Sequence, residues 1–409
     1  MSGGVSVIIP TYNRSALLRR TLESLAAQRC DAAEFEVIVA DDGSSDDTAA
    51  MLESSGGRLR LRYCFQEDQG YRVAAARNAG AALATAPVLA FLDAGTLAGP
   101  DFIRGHLAAH ETAPGACAVL GYCYGYNPVD DMSWLAEALA ELEPAEVVRR
   151  YRDEPAFRDL RHEVFQKAGY DLRRLSAPWG LFWTMNCSVT ATAFRRCGGF
   201  DETFRSWGGE DYEFGYRLSR HDPTFLLSRD AWSIELPSHR RLQANRQSSK
   251  RNSLRILAKH CEPMIELYCA AELRDERFLI EDDGGALRAW TRAAAGLSGA
   301  ADISRAVGAI PDDASVAVFG CGGDIPSSLP AGSVLLDFDS ELLAGAVADG
   351  RHSGYQLIGV RTPLRAGSVD VVMVTGRLSG VWDRWGKRIV TEAHRVGRQV
   401  VLAPGLPQG

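Results

Sequence analysis

Residues 37–46 read Val-Ile-Val-Ala-Asp-Asp-Gly-Ser-Ser-Asp, a β-branched run broken by an acidic turn. Extended back to Phe35, the run has no polar alternation, so Phe35–Ala40 predicts a strand buried on both faces. Asp41-Asp42-Gly43-Ser44 ends it, and Asp46 or Asp47 caps a helix running through Leu52. The same pattern repeats on either side. Val5–Ile9 is a strand closed by Pro10, and Arg14–Arg29 places Leu17, Leu18, Leu22 and Leu25 on one helix face. Leu59–Phe65 is a third strand, Val73–Ala84 an alanine-rich helix carrying Arg77 and Asn78, and Val88–Leu92 a fourth strand that ends at Asp93. Strands alternating with helices at these lengths predict an α/β fold, a mostly parallel sheet flanked by helices. Ligands of such sheets sit beyond the carboxyl ends of the strands. Thr11, Asn13, Asp41, Asp42 and Asp93 gather at that edge.

With 409 residues the chain exceeds one ordinary core, and two domains are expected. Hydrophobic residues at 46% and charged residues at 24% describe a globular, water-soluble chain. A formal net charge of −7 offers no footprint for nucleic acid or an anionic membrane. No apolar run reaches the ~18 residues of a membrane helix. The first residues enter a strand without a basic region, which predicts no signal peptide and a cytoplasmic protein. Nine cysteines without any C-x-x-C pair predict buried free thiols, with no disulfides or zinc. Further along, Trp134–Glu143, Ala145–Arg152 and Phe157–Lys167 read as helices of an acceptor-side insertion. The expected division is a catalytic domain over 1–245, a helical extension over 246–312 and a smaller Rossmann-like α/β domain over 313–409.

Five ordered pieces resemble the family 2 glycosyltransferases of the GT-A fold, across roughly residues 5 to 240. They are Val-Ser-Val-Ile-Ile-Pro-Thr-Tyr-Asn-Arg (5–14), the 37–46 stretch, Gly-Tyr-Arg-Val-Ala-Ala-Ala-Arg-Asn-Ala-Gly (70–80), Phe-Leu-Asp-Ala-Gly (91–95) and Trp-Gly-Gly-Glu-Asp (207–211). The resemblance implies a UDP-sugar donor, with Pro10, Thr11, Tyr12 and Arg14 in the nucleotide pocket. Asp41 would accept the uracil imide N–H, or else only build its turn, and Asp42 reads as turn support. Arg77 would hold ribose or diphosphate oxygens, or else lie solvated on its helix. Asp93 takes the first place of the family's Asp-x-Asp motif, so a divalent manganese or magnesium ion is implied. The third place is Gly95, which removes the usual second ligand. His239 is a candidate metal ligand, or a structural histidine.

Trp207-Gly208-Gly209-Glu210-Asp211 resembles the acceptor motif of galactosyltransferases and chondroitin polymerases. It implies Asp211 as general base and Glu210 as acceptor ligand, with Trp207 as a plate for a sugar face. Gly208 and Gly209 would let the backbone approach the sugar. Glu210 and Asp211 also suit the positive end of the helix they open, and both readings can hold together. The implied reaction is inverting transfer of a hexose to an acceptor hydroxyl. The acceptor is expected to be a small natural product such as an aminocyclitol, with capsule or cell-surface glycan as the alternative.

Val-Phe-Gly-Cys-Gly-Gly-Asp (318–324), with Asp337 and Asp339 after the next strand, resembles an S-adenosylmethionine methyltransferase core. The Ile-Pro-Ser-Ser-Leu-Pro that follows cannot build that fold's first helix. A degenerate appendage is therefore expected. A second, methylating activity and a non-catalytic sugar-binding scaffold are the other classes to discriminate.

Overall fold

A computed structural model describes every residue except 1–3, 55–56, 58, 114, 116, 128–131, 222–223, 239–241, 277–279, 312 and 408–409. The chain forms two compact units, Met1–Ser248 and Ser249–Gly409.

The first unit is built on β1 (Val5–Thr11), β2 (Phe35–Asp41), β3 (Leu61–Phe65), β4 (Val88–Leu92), β5 (Thr96–Ala98), β6 (Cys117–Tyr124), β7 (Asn186–Thr190) and β8 (Thr224–Glu235). They form one sheet in the order β3-β2-β1-β4-β7-β6-β8-β5. β1 to β4 are parallel, while β7 runs antiparallel to both β4 and β6. The first strand outruns its expected stop: Pro10 and Thr11 pair with Ala40 and Asp41.

Both faces of the parallel half are buried, and successive residues choose the face. Val5, Val7, Ile9, Val37 and Val39 pack with Leu18, Leu22 and Leu25 of the helix Ser15–Ala26. Burying each such leucine contributes about 2 kcal/mol. Ile8, Ile38 and Ala40 meet the helix Val73–Leu83 on the other face, where a Cβ on Gly80 would lie 2.7 Å from Ile8. That close approach explains the alanine-rich composition, and it aims Arg77 at the ends of the strands.

The later strands lack clean sequence signals. Gly121 interrupts β6 at a register shift, and charged Arg229 and Asp230 lie inside β8. The insertion helices run Ser133–Glu141, Pro144–Tyr151 and His162–Lys167. The last starts later than expected because the residues before it are pinned inward. Phe157 stacks on Tyr124 at 5.1 Å. Arg161, fully enclosed, pairs with Asp159 at 2.6 Å and donates to the carbonyls of Leu181 and Gly121. All nine cysteines are free thiols. Among the described residues no helix is long and apolar enough to cross a membrane.

The second unit holds β9 (Val316–Phe319), β10 (Val334–Leu336), β11 (Ser353–Tyr355), β12 (Val369–Val374) and β13 (Gly397–Leu402), all parallel, in the order β11-β10-β9-β12-β13. The helix before β13 runs Trp382–Val396. Glu266, on the helix Pro263–Glu272, is buried and accepts N–H bonds from Ile358, Gly359 and Arg361. This part of the 246–312 segment therefore packs as core of the second unit.

No helix lies between β9 and β10. The strand-end acid Asp337 accepts the Gly322 N–H at 2.8 Å and is paired at 2.8 Å with Arg377, both side chains being fully enclosed. Arg377 also donates to the carbonyls of Ala294 and Leu297. The glycine-rich turn is thus filled by the protein's own guanidinium, and the geometry speaks against a cofactor site there.

Candidate active site

Beyond the carboxyl ends of β1, β2 and β4 lies a cleft of about 370 Å³. Pro10, Thr11, Tyr12 and Arg14 line it from the end of the first strand onward, and Gly70, Tyr71, Val73 and Arg77 from the start of the helix Val73–Leu83 and the turn before it. Asp93, Ala94 and Trp207 close it. Seven expected site residues therefore meet here: Pro10, Thr11, Tyr12, Arg14, Arg77, Asp93 and Trp207.

Asp41 does not line the cleft. Its Oδ1 accepts the N–H groups of Gly43 and Ser44 at 3.1 and 2.8 Å, and its Oδ2 accepts the Tyr63 hydroxyl at 2.9 Å. Its carboxylate is spent on the turn. The wall position belongs to Asp42, the residue expected to support the turn. Asp42 is anchored by the Arg72 N–H at 2.7 Å and by the Gln66 amide. Burial pushes its carboxyl up, against the pull of those two donors. The turn is stitched to β1 by Asn13, whose side-chain oxygen accepts from Ser45 and Asp46. Of the two candidate caps, Asp46 accepts the Thr48 N–H at 3.1 Å and that of Ser15 at 3.0 Å.

Arg77 is neither solvated nor free. It is 3% exposed, with Nη2 on Asp93 Oδ1 at 2.9 Å and Nη1 on Glu210 Oε1 at 3.0 Å. Burial opposes its charge, yet Asp93 and Glu210 together hold it above the usual arginine value.

Gly95, at the third place of the acidic motif, has φ +99, and a Cβ there would face Leu17 at 3.5 Å. A side chain at 95 would start from a left-handed backbone, against Leu17. Asp93 keeps one oxygen clear of Arg77 on a part-exposed side chain. That oxygen could serve a hard cation as one ligand where substrate phosphates supplied the rest. Among the described residues no group of three His, Cys, Asp or Glu could hold a metal. His239 lies outside the described residues.

Gly208 and Gly209 take φ +86 and +101, a left-handed pair that non-glycine residues adopt only with strain. The turn delivers Trp207 to the cleft and starts the helix Glu210–Ser219. Glu210 is buried, and its Oε2 has no hydrogen-bond partner among the described residues. Half-buried Asp211 accepts the Tyr212 N–H at 2.8 Å. Burial first, then the neighbouring Glu210 charge, push its carboxyl up, while Arg77 draws it back. The third acid of that turn, Glu213, is structural: it pairs at 2.7 Å with Arg217, which in turn holds the Cys197 and Gly199 carbonyls. Tyr71, Val73, Gly70 and Ala94 were not singled out from the sequence. All four had a signal: Gly70, Tyr71 and Val73 lie inside the 70–80 motif and Ala94 inside the 91–95 motif.

The family model described as glycosyl transferase family 2 matches residues 6–176, and one described as N-terminal domain of galactosyltransferase matches 167–231. Validoxylamine A glucosyltransferase of Streptomyces hygroscopicus subsp. limoneus is 43% identical over 405 residues, spanning 97% of this chain and 89% of that one. Hyaluronan synthase of Pasteurella multocida is 33% identical over 228 residues, 54% of this chain and 23% of that one. A solved mannosyltransferase from Pyrobaculum calidifontis, in complex with GDP-Man and Mn2+, superposes with a TM-score of 0.47 at 20% identity, covering 75% of this chain and 79% of that one. A relative matched nearly end to end, together with a cleft assembled from the same motifs that carry the resemblance, places the chain: it belongs to the family 2 glycosyltransferases.

Proposed function

We propose that the enzyme transfers a hexose, glucose first among candidates, from a UDP-sugar to a hydroxyl of a small aminocyclitol such as validoxylamine A, with inversion. One observation carries this reading. The left-handed glycine pair sets Trp207 in the cleft and presents Glu210 and Asp211 beside the arginine that holds Asp93. The full-length similarity to validoxylamine A glucosyltransferase supports the acceptor class.

The uracil imide N–H is assigned to Asp42, the carboxylate on the cleft wall, with Tyr12 as a plate for the ring. Thr11, whose buried hydroxyl has no hydrogen-bond partner among the described residues, faces the nucleoside. Arg14 stands at the rim for the diphosphate. Asp93 would hold a manganese or magnesium ion, with His239 as a candidate second ligand. Such an ion, when bound, neutralises the leaving diphosphate as a Lewis acid.

Glu210 Oε2 receives a hydroxyl of the acceptor. The attacking hydroxyl bonds the anomeric carbon as the bond from that carbon to the diphosphate oxygen breaks. The electron pair leaves with the diphosphate, and the hydroxyl proton passes to Asp211. A carboxylate whose affinity for protons is raised is a better base for that step than a free aspartate.

The test is product analysis by mass spectrometry after mixing enzyme, UDP-glucose, validoxylamine A and manganese. A hexosylated product is expected, and none from Asp211→Asn. No product with UDP-glucose or UDP-galactose would sink the acceptor assignment. Transfer to a glucuronic acid–hexosamine oligosaccharide instead would move the enzyme to glycan assembly.

A further inference from the structure

Arg77 spends two of its five N–H groups on the protein's own carboxylates. Its terminal nitrogens are committed to Asp93 at 2.9 Å and Glu210 at 3.0 Å, and its Nε is buried without a hydrogen-bond partner among the described residues. The guanidinium lies over the Phe200 ring at 5.6 Å. Phe200 is in turn clamped by Asn78, which accepts its N–H at 2.8 Å and donates to its carbonyl at 2.9 Å. Asn78 follows Arg77 on the same helix, so the arginine and the ring beneath it are held as one piece.

The two carboxylates face different ligands. Asp93 ends β4 and lines the donor cleft, part-exposed, while Glu210 opens the acceptor-motif helix and is buried. Each uses one oxygen on Arg77 and keeps the other: Asp93 towards the cleft, Glu210 with Oε2 unmatched. A single guanidinium divided between two anions in an enclosed site makes each contact depend on the other.

We propose that Arg77 is a positioning residue that couples donor binding at Asp93 to acceptor binding at Glu210. This rests on the donor and acceptor sides assigned above. A donor that engages Asp93 loosens its hold on Arg77, whose charge then falls more fully on Glu210 Oε1. Glu210 is fixed, with Oε2 turned to the acceptor hydroxyl. The acceptor therefore binds best after the donor.

The test is calorimetric titration of the full-length enzyme with validoxylamine A, with and without saturating UDP and manganese. In the parent, UDP should lower the validoxylamine A Kd about fivefold or more, the lower end of usual site-to-site couplings. In Arg77→Lys, which keeps the charge but loses the two-pronged fork, the ratio should fall below about twofold. Asp93→Asn, at a part-exposed position, should also flatten it at UDP saturation. A parent without coupling, or either variant keeping the parent ratio, would overturn the proposal. Failure of the parent to bind UDP or validoxylamine A at all would instead remove the functional reading, and the coupling with it.

Discussion

Asp211→Asn separates a catalytic carboxylate from a helix-opening one. Asparagine keeps the volume and the side-chain oxygen that accepts the Tyr212 N–H at 2.8 Å, so the helix start survives and only proton acceptance is lost. A positioned base contributes about 10²–10⁴ in rate, or about 2.7–5.4 kcal/mol of barrier. kcat should fall by that factor. The acceptor KM should stay within about threefold, because Glu210 and Trp207 are untouched. Stability should move the other way. Burial, then Glu210, hold the Asp211 carboxyl above its ordinary value, so the native protein binds more protons than the unfolded chain. The window opens near about pH 4 and closes at the raised native value, and stability falls as pH rises through it. Asparagine does not titrate. The variant should therefore lose that slope and melt at or above the parent at neutral pH. Initial rates over a matrix of UDP-glucose and validoxylamine A, with thermal melts at acid and neutral pH, measure all three. A variant keeping more than about a tenth of parental kcat would refute the base. So would activity lost together with a melting temperature several degrees lower, which would mark a purely structural acid.

If Asp42 takes the uracil imide, as proposed, the paired aspartates should show opposite phenotypes. Asp42→Asn should weaken UDP binding about tenfold with little change in melting, since a hydrogen bond to a charged group is worth about 1.5–3 kcal/mol. Asp41→Asn should instead destabilise the protein by about 1–3 kcal/mol and leave the UDP Kd nearly unchanged; calorimetry and urea melts decide between them. Burial pushes His106 down to about 3 and His110 down to about 4, the latter wedged between Ser188 and Cys117. Their neutral forms stabilise the fold fully above the usual imidazole value of about 6.5, and that stability should drain as pH falls from there towards 4. Urea midpoints should drop steeply over that interval, and a flat profile would contradict the enclosure. In the second unit, Arg377→Ala leaves Asp337 buried and unpaired and should cost about 3–5 kcal/mol. Adenosylmethionine should bind neither parent nor variant, and saturable binding to the parent by calorimetry would show the filled turn to be a site after all.

How legible the molecule is depends on how many constraints each residue satisfies alone. β1, β2 and β4 are buried on both faces, so every position reports the same pressure and the β-branched runs stand out. β6 and β8 instead divide their positions among glycine, cysteine, polar partners and a register shift. No period survives there, and their antiparallel company was unreadable. The site divides the same way. Gly208 and Gly209 announce themselves because only glycine accepts two consecutive left-handed residues. The contest between Asp41 and Asp42 could not be read. Neighbouring carboxylates point to opposite sides of a strand end, and which side is the cleft depends on β3, through the Tyr63 hydroxyl.

Gly95 and Arg77 show the same dependence more sharply. From the sequence, glycine at the third place of the acidic motif looks like a lost ligand. In three dimensions the position has a left-handed backbone, its N–H is held by the Thr21 hydroxyl at 2.9 Å, and its Cβ direction runs into Leu17. An aspartate there would be strained before it could be a ligand. The missing carboxylate at 95 is thus a consequence of how the chain turns from β4 into β5. Charge at the cleft is instead balanced between Asp93, Glu210 and the arginine they share. Restoring an acid by Gly95→Asp should therefore destabilise the protein by about 1–2 kcal/mol from the backbone conformation alone, without tightening manganese binding. A melt together with a manganese titration of UDP binding checks both halves. Tighter manganese dependence in a stable variant would show that the turn can open towards the cleft, and the account of Gly95 would fall.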